Sequence, residues 1–157
     1  MTAADAAGVL AIYGDGIATG AATFETSVPE WTAWDAAHRA ACRFVGDDAG
    51  RLTGWAALTS VSERCVYRGV AEVSVYVAAA SRGQGIGRSL LEALIEASEA
   101  EGLWTLQAGI FATNVASLAL HRACGFRDVG RRERLGALGG VWHDVWLLER
   151  RSVVVGA

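Results

Sequence analysis

The stretch Val75-Tyr76-Val77-Ala78-Ala79-Ala80-Ser81-Arg82-Gly83-Gln84-Gly85-Ile86-Gly87-Arg88 passes from an alternating pattern through a glycine-rich turn into a helical one. On its upstream side, Val73, Val75 and Val77 share one face of a strand over residues 71–77, and Glu72, Ser74 and Tyr76 share the other. On its downstream side, Ile86, Leu90, Leu91, Leu94 and Ile95 form one apolar stripe, with Arg88, Glu92, Glu96 and Glu99 off it, as an amphipathic helix over residues 86–101 requires. Gly102 is placed to end that helix. The central unit is therefore strand, glycine turn, helix.

Further out, residues 104–110 read as another strand and residues 114–124 as a shorter helix stopped by Gly125. Residues 127–134 and 141–148 read as two closing strands, with Arg131, Arg132 and Arg134 expected on a solvated edge. Ahead of the central unit, residues 42–45 and 52–59 flank Asp47-Asp48-Ala49-Gly50 as a hairpin. Thr2 is suited to cap a first helix that Gly14, Gly16 and Gly20 are expected to break after about Tyr13. Pro29 suits the first turn of a second helix carrying Trp31, Trp34 and His38. The order α, α, β, β, β, α, β, α, β, β predicts an α/β sandwich around a mixed sheet. Trp55, Trp104 and Trp146 are expected to pack between sheet and helices.

The chain has 157 residues, enough for one domain with a sizeable core, and no Pro-, Ser- or Gly-rich linker or internal repeat divides it. Its composition, 52% hydrophobic and 20% charged, is that of a folding chain. No apolar run approaches the roughly 20 residues of a membrane span, and no basic, apolar, small-residue leader opens the sequence, so a cytoplasmic protein is expected. The net charge of −3 argues against nucleic acid as a partner. All fourteen cations are arginine, which excludes Schiff-base chemistry and a lysine-dependent phosphate loop. Cys42, Cys65 and Cys124 have no metal-site spacing, and no metal is expected.

Glycines let a main chain approach a ligand closely, and the first turn of a helix presents unpaired N–H groups at the positive end of its dipole, so the 82–88 turn suits a phosphate or pyrophosphate. Arg82 and Arg88 add cations at its rim. Counting from Gly83, a dinucleotide fingerprint needs a third glycine where Arg88 stands. Arg82-x-x-Gly85-x-Gly87 instead resembles the acyl-CoA pyrophosphate loop of the GNAT N-acetyltransferase superfamily. Asn114-x-x-Ser117-x-x-Leu120-His121-x-x-x-Gly125-Phe126 resembles that superfamily's second cofactor-contacting helix. Within it the chain is most similar to the phosphinothricin and methionine sulfoximine acetyltransferases, through Ala22-Thr23-Phe24-Glu25-Thr26, Tyr67-Arg68, Glu72-Val73-Ser74-Val75-Tyr76-Val77 and Trp142-His143-Asp144-Val145. The family has a strand ahead of the first helix, but here only Met1 precedes Thr2; either that strand is missing or the chain has been shortened.

The resemblance implies the GNAT fold, an α/β architecture whose mixed, mostly antiparallel central sheet carries helices on both faces. It implies acetyl-CoA as cofactor and direct transfer to the amine of a small amino-acid-like acceptor. Glu72 is then the base that removes an amine proton, and His121 stands where the family often has a tyrosine that protonates the leaving thiolate. Val75, Tyr76 and Val77 are assigned main-chain contacts to the thioester and pantetheine, Arg82, Gly83, Gln84, Gly85, Ile86, Gly87 and Arg88 the diphosphate, and Asn114 and Ser117 the cofactor's arm. Arg68, with Arg64 second, is the expected carboxylate partner, and Phe24, Glu25, Trp31 and Ser74 the expected acceptor wall. Trp31 and Trp34 are alternatively dimer contacts, since a homodimer is common among such enzymes. Two rival readings are a non-catalytic acyl-CoA sensor and an acetyltransferase for an aminoglycoside, a polyamine or a protein N-terminus. The arginines ahead of the Glu72 strand favour an anionic acceptor.

Overall fold

The computed structural model describes residues 1–156. Six strands form one sheet in the order β1-β2-β3-β4-β6-β5: β1 (Phe44–Asp48), β2 (Arg51–Ser60), β3 (Val70–Val77), β4 (Thr105–Phe111), β5 (Arg127–Leu138) and β6 (Val141–Arg151). Every neighbouring pair is antiparallel except β3–β4, the one junction reached through a helical crossover. Helices α1 (Ala6–Ala18) and α2 (Trp31–Ala37) cover one face, and α3 (Ile86–Ala100) and α4 (Val115–Ala123) the other.

The period-2 alternation of β3 separates two cores. Val73 and Val75 pack with Leu90, Leu91, Leu94 and Leu118 beneath α3 and α4. On the opposite face, Tyr76 packs with Val9, Ile12, Trp34 and Trp55 beneath α1 and α2. Trp55 and Trp34 are almost fully buried there, so Trp34 is core and does not line a pocket. Trp146 flanks the α3/α4 core, whereas Trp104, just ahead of β4, lies half-buried against Gly69.

Several boundaries differ from the sequence expectation. β1 covers Phe44–Asp48 rather than residues 42–45, because Ala49 and Gly50, both at positive φ, close a two-residue turn that keeps Asp47 and Asp48 paired with β2. Thr2 caps a single 3-10 turn at Ala3–Asp5, and α1 then continues through Gly14 and Gly16 to Ala18. The small residue is needed for contact: a Cβ on Gly16 would lie 2.7 Å from the Tyr76 ring. Pro29 precedes the N-cap Glu30, and His38 is already extended. The last two strands run longer than expected because Gly139-Gly140, both at positive φ, close a two-residue hairpin that keeps them paired from Leu138 and Val141 onward. Among the described residues no strand precedes α1; β1 is one edge of the sheet, and the Met1 ammonium donates to the Arg43 carbonyl beside it.

The junction that positions the site is β3–β4. It carries only three register pairs, Val70 with Thr105, Ala71 with Leu106 and Glu72 with Gln107. Beyond Glu72, β3 continues to pair with β2, and beyond Gln107, β4 continues to pair with β6. The facing edges of β3 and β4 thus diverge and leave main-chain groups on both sides of a cleft.

Candidate active site

A cavity of about 830 Å³ occupies this cleft, within the size range of small-molecule sites. Its walls come from both faces of the sheet: Ile12, Gly16 and Phe24 from the α1/α2 side, and Gly87, Leu120 and His121 from the α3/α4 side. It therefore passes through the sheet where the strands part.

Glu72 stands at the closed end of the cleft, half-buried, with Gln107 Nε2 donating to its Oε2 over 2.7 Å. Ser74 and Tyr76 follow on the same face and also line the cavity. The Tyr76 ring is stacked on Trp55 at 4.8 Å and meets Tyr13 edge-on at 5.0 Å. Burial pushes the phenols of Tyr76 and Tyr13 up, and the charge of Glu25 adds to the shift, so both stay protonated at neutral pH. Glu25 itself lies on the surface, outside the cavity wall, with its N–H bonded to Thr23 Oγ1. Phe24 closes the wall, 4.5 Å from Phe111, which stacks in turn on His143.

At the other end lies the glycine turn. Gly85, at φ +82°, is the N-cap of α3, and Gly83 is also left-handed. The first bond of the helix is Ser89 N–H to the Gly85 carbonyl, and no main-chain N–H from Gly83 to Arg88 donates to a protein oxygen among the described residues. Six consecutive donors at the positive end of a fifteen-residue helix suit a diphosphate. Gly87 gives close packing, since a Cβ there would sit 3.2 Å from Leu120 and 3.3 Å from Val77. Arg88 is paired with Glu92, and Arg82 Nε reaches the Val77 carbonyl at 3.4 Å. Val75, Val77, Ile86, Asn114 and Ser117 also line the cavity; Gln84 turns back to the Ala80 carbonyl and does not.

Asn114 caps α4 by accepting from Ser117 N–H, and its Nδ2 donates to the Ala21 carbonyl, which ties that helix to the loop after α1. His121 is 3% exposed. Its Nδ1 lies 2.8 Å from the Ser117 carbonyl, a geometry that puts the hydrogen on Nδ1, while Nε2 is buried without a partner. Burial lowers its pKa, so the ring is neutral at pH 7 and Nε2 is a bare acceptor. In that state it has no Nε2 proton to donate.

Several expected acceptor residues lie elsewhere. Trp31 stacks on Trp34 at 5.0 Å and does not border the cavity. Arg68 is exposed, its guanidinium 5.8 Å above the Trp104 ring, and Arg64 lies over Tyr67; neither lines the cavity. Arg132 does line it, a place that sequence spacing had given to solvent. Of its neighbours, Arg131 is held by the Asp144 carboxylate, which also accepts the Arg134 N–H at 2.7 Å.

The cleft is open to both faces of a mixed sheet, with an acidic residue at one end and a helix N-terminus at the other. Residues 17–126 match the acetyltransferase (GNAT) family. This chain belongs to the GNAT acetyltransferases. Among its relatives, the GNAT chain is 38% identical to an L-methionine sulfoximine/L-methionine sulfone acetyltransferase of Pseudomonas paraeruginosa, over 93% of this chain and 88% of that one. It is 36% identical to a phosphinothricin N-acetyltransferase of Alcaligenes faecalis, over 93% and 77%. Its GNAT fold superposes on a phosphinothricin acetyltransferase from Sinorhizobium meliloti in complex with acetyl-CoA, with a TM-score of 0.87, 29% identity and coverage of 96% and 85%. No helix among the described residues is long and apolar enough to cross a membrane.

Proposed function

We propose that this acetyltransferase moves the acetyl group of acetyl-CoA to the amine of a small amino-acid-like acceptor, of phosphinothricin or methionine sulfoximine type, by direct attack with Glu72 as general base. One observation carries the reading: a single cavity crosses the sheet, so the unpaired N–H groups of residues 83–88 and the Glu72 carboxylate reach it from opposite ends. Two reactants entering from opposite faces meet inside it, which favours one-step transfer over a covalent relay. Both the relatives' named substrates and the acetyl-CoA of the superposed structure support the same choice.

Acetyl-CoA supplies an activated acetyl thioester when bound. The 83–88 turn holds the diphosphate, with Arg82 and Arg88 at its rim, and Gly87 lets the first turn of α3 lie close beneath it. Main-chain groups of Val75, Tyr76 and Val77, on the edge that β4 leaves open, orient the pantetheine and polarise the carbonyl. Asn114 and Ser117 line the arm's path at the start of α4. Glu72, oriented by Gln107, takes one proton from the acceptor's ammonium directly or through one water. The amine nitrogen then bonds to the carbonyl carbon, the carbon–sulfur bond breaks with its electron pair going to sulfur, and the second amine proton passes to that thiolate directly or through water. Ser74 and Phe24 shape the acceptor's side of the cavity. As a donor to the departing sulfur, His121 must first gain a proton at Nε2 against its burial.

A cytoplasmic location is part of the same reading, supported by an acetyl donor that is a metabolite of the cell interior. A homodimer through the β5–β6 hairpin is supported by exposed Val129, Val141 and Trp142, the last 61% accessible, and light scattering on the eluted protein tests it. The function is tested by following CoA thiol release with phosphinothricin, methionine sulfoximine, ordinary amino acids and polyamines. Turnover is expected with the amino-acid-like acceptors. Saturable acetyl-CoA binding without thiol release for any amine would support the sensor reading instead.

A further inference from the structure

Sheet register places Arg132 on the reacting face. Glu72 pairs with Gln107, and Gln107, Gly109 and Phe111 share one face of β4. Phe111 pairs with Val145 on β6, and Val145 with Arg132 on β5, so Arg132 projects from the same face as Glu72. Immediately after it the ladder is interrupted by an irregularity between Arg132 and Gly136, with Arg134 at φ +45° held by its N–H to Asp144. Such an interruption re-aims neighbouring side chains, and Leu135 within it also lines the cavity.

Charge completes the assignment. The charged residues lining the cavity are Glu72, Arg82, Arg88 and Arg132. Arg82 and Arg88 belong to the glycine turn, and Arg88 is already paired. Asp144 engages Arg131, and among the described residues Arg132 has no carboxylate partner. Away from the turn the cavity thus offers one anion and one cation. Four residues along β4 and three inter-strand steps separate Glu72 from Arg132, roughly 20 Å between α-carbons in a flat sheet. That span exceeds what an amine and its own α-carboxylate need, and it suits the far end of an acceptor whose amine lies by Glu72.

We propose that Arg132 is a specificity residue that receives the oxyanion at the side-chain end of the acceptor, as a phosphinate or distal carboxylate would present it. Planar guanidinium and a two-oxygen anion match bidentately. This rests on the acetyltransferase reading and narrows it: a polyamine or aminoglycoside would bring only cations to this arginine.

The test compares phosphinothricin with norvaline, an acceptor of similar length and no side-chain charge, in the wild type, Arg132→Gln, Arg132→Lys and Arg68→Gln. For Arg132→Gln, kcat/KM with phosphinothricin should fall roughly 10- to 100-fold, chiefly through KM, the range of a charge-assisted hydrogen bond, and that with norvaline less than about threefold. Calorimetry of the CoA-saturated protein with phosphinothricin should show the same loss in affinity, with acetyl-CoA affinity unchanged and Arg132→Lys intermediate. Equal loss for both acceptors, no loss for either, a wild type that prefers norvaline, or the selective loss in Arg68→Gln instead would each overturn the assignment. A wild type inert toward every amine would defeat the acetyltransferase reading itself, which is a separate result.

Discussion

Gln107 donates its Nε2 hydrogen to Glu72 Oε2 over 2.7 Å, and the same two residues form the last register pair before β3 and β4 part. The strand junction and the carboxylate are therefore fixed by one contact. Glu72→Gln keeps an amide oxygen that accepts from Gln107 and removes only the base. Turnover near pH 7 is expected to fall about 100-fold or more, with acetyl-CoA affinity and melting temperature nearly unchanged. The deficit should shrink as pH rises through the acceptor amine's own pKa, where the amine needs no base. A steady-state pH series decides it: turnover equal to wild type at pH 7 removes Glu72 from the role.

His121 supplies a pH dependence of stability. Burial lowers its folded pKa below the unfolded value, so the unfolded chain binds the proton more readily. Stability is complete above the unfolded pKa, near 6.5, and is lost as pH falls below it toward the folded pKa. His38, lowered by its own burial, acts in the same direction. Melting curves from pH 8 to 5 should therefore show a shallower acid decline in His121→Gln than in wild type. If the ring also protonates the departing sulfur, His121→Gln should lower kcat with either acceptor; an unchanged kcat leaves it as a wall of the cavity.

The glycine turn predicts two kinds of failure. Gly85 has open space around its missing Cβ but φ +82°, so Gly85→Ala strains the backbone by about 1–2 kcal/mol and disturbs the N-cap of α3. Gly87 is packed against Leu120 and Val77, so Gly87→Val overfills the site at a cost of about 1–3 kcal/mol. Both should raise the acetyl-CoA dissociation constant by roughly tenfold or more, measured by calorimetry, through loss of aligned N–H donors. Binding as tight as wild type in both variants would place the diphosphate elsewhere.

What the sequence makes legible is local. Alternation in β3, the stripe of α3 and the glycine turn between them are short-range patterns that mark the site's central unit and put Glu72 on the face away from the valines; its role as base is what the family resemblance implies. The choice among arginines was not local. Arg68 stands four residues before Glu72 but lies over Trp104, and Arg132 is sixty residues away in sequence but shares the sheet face of Glu72 through the pairing of β4, β6 and β5. Strand order and the interruption after Arg132 are tertiary facts with no short-range signature. The extent of α1 departs from its sequence signal for a related reason: glycine weakens an isolated helix, but an aromatic ring across the interface can require it.

Gly16 makes that point measurable. In an exposed helix interior, Gly→Ala stabilises by about 1 kcal/mol. Here the new methyl would meet Tyr76 Cδ1 and Cε1 at 2.7 Å, and the ring has little freedom to yield, being stacked on Trp55 and flanked edge-on by Tyr13. Overpacking of a rigid group costs about 1–3 kcal/mol and should outweigh the propensity gain. Gly14→Ala is the comparison, since its methyl would meet only a Val28 Cγ2 at 3.0 Å, on a half-exposed side chain. Gly16→Ala is expected to lower the melting temperature by about 2–6 °C and to weaken acceptor turnover, because Tyr76 borders the cavity, whereas Gly14→Ala should stay near wild type. Differential scanning calorimetry on the two variants reads the difference directly, and a stabilised Gly16→Ala would mean that the Tyr76 ring moves aside at little cost.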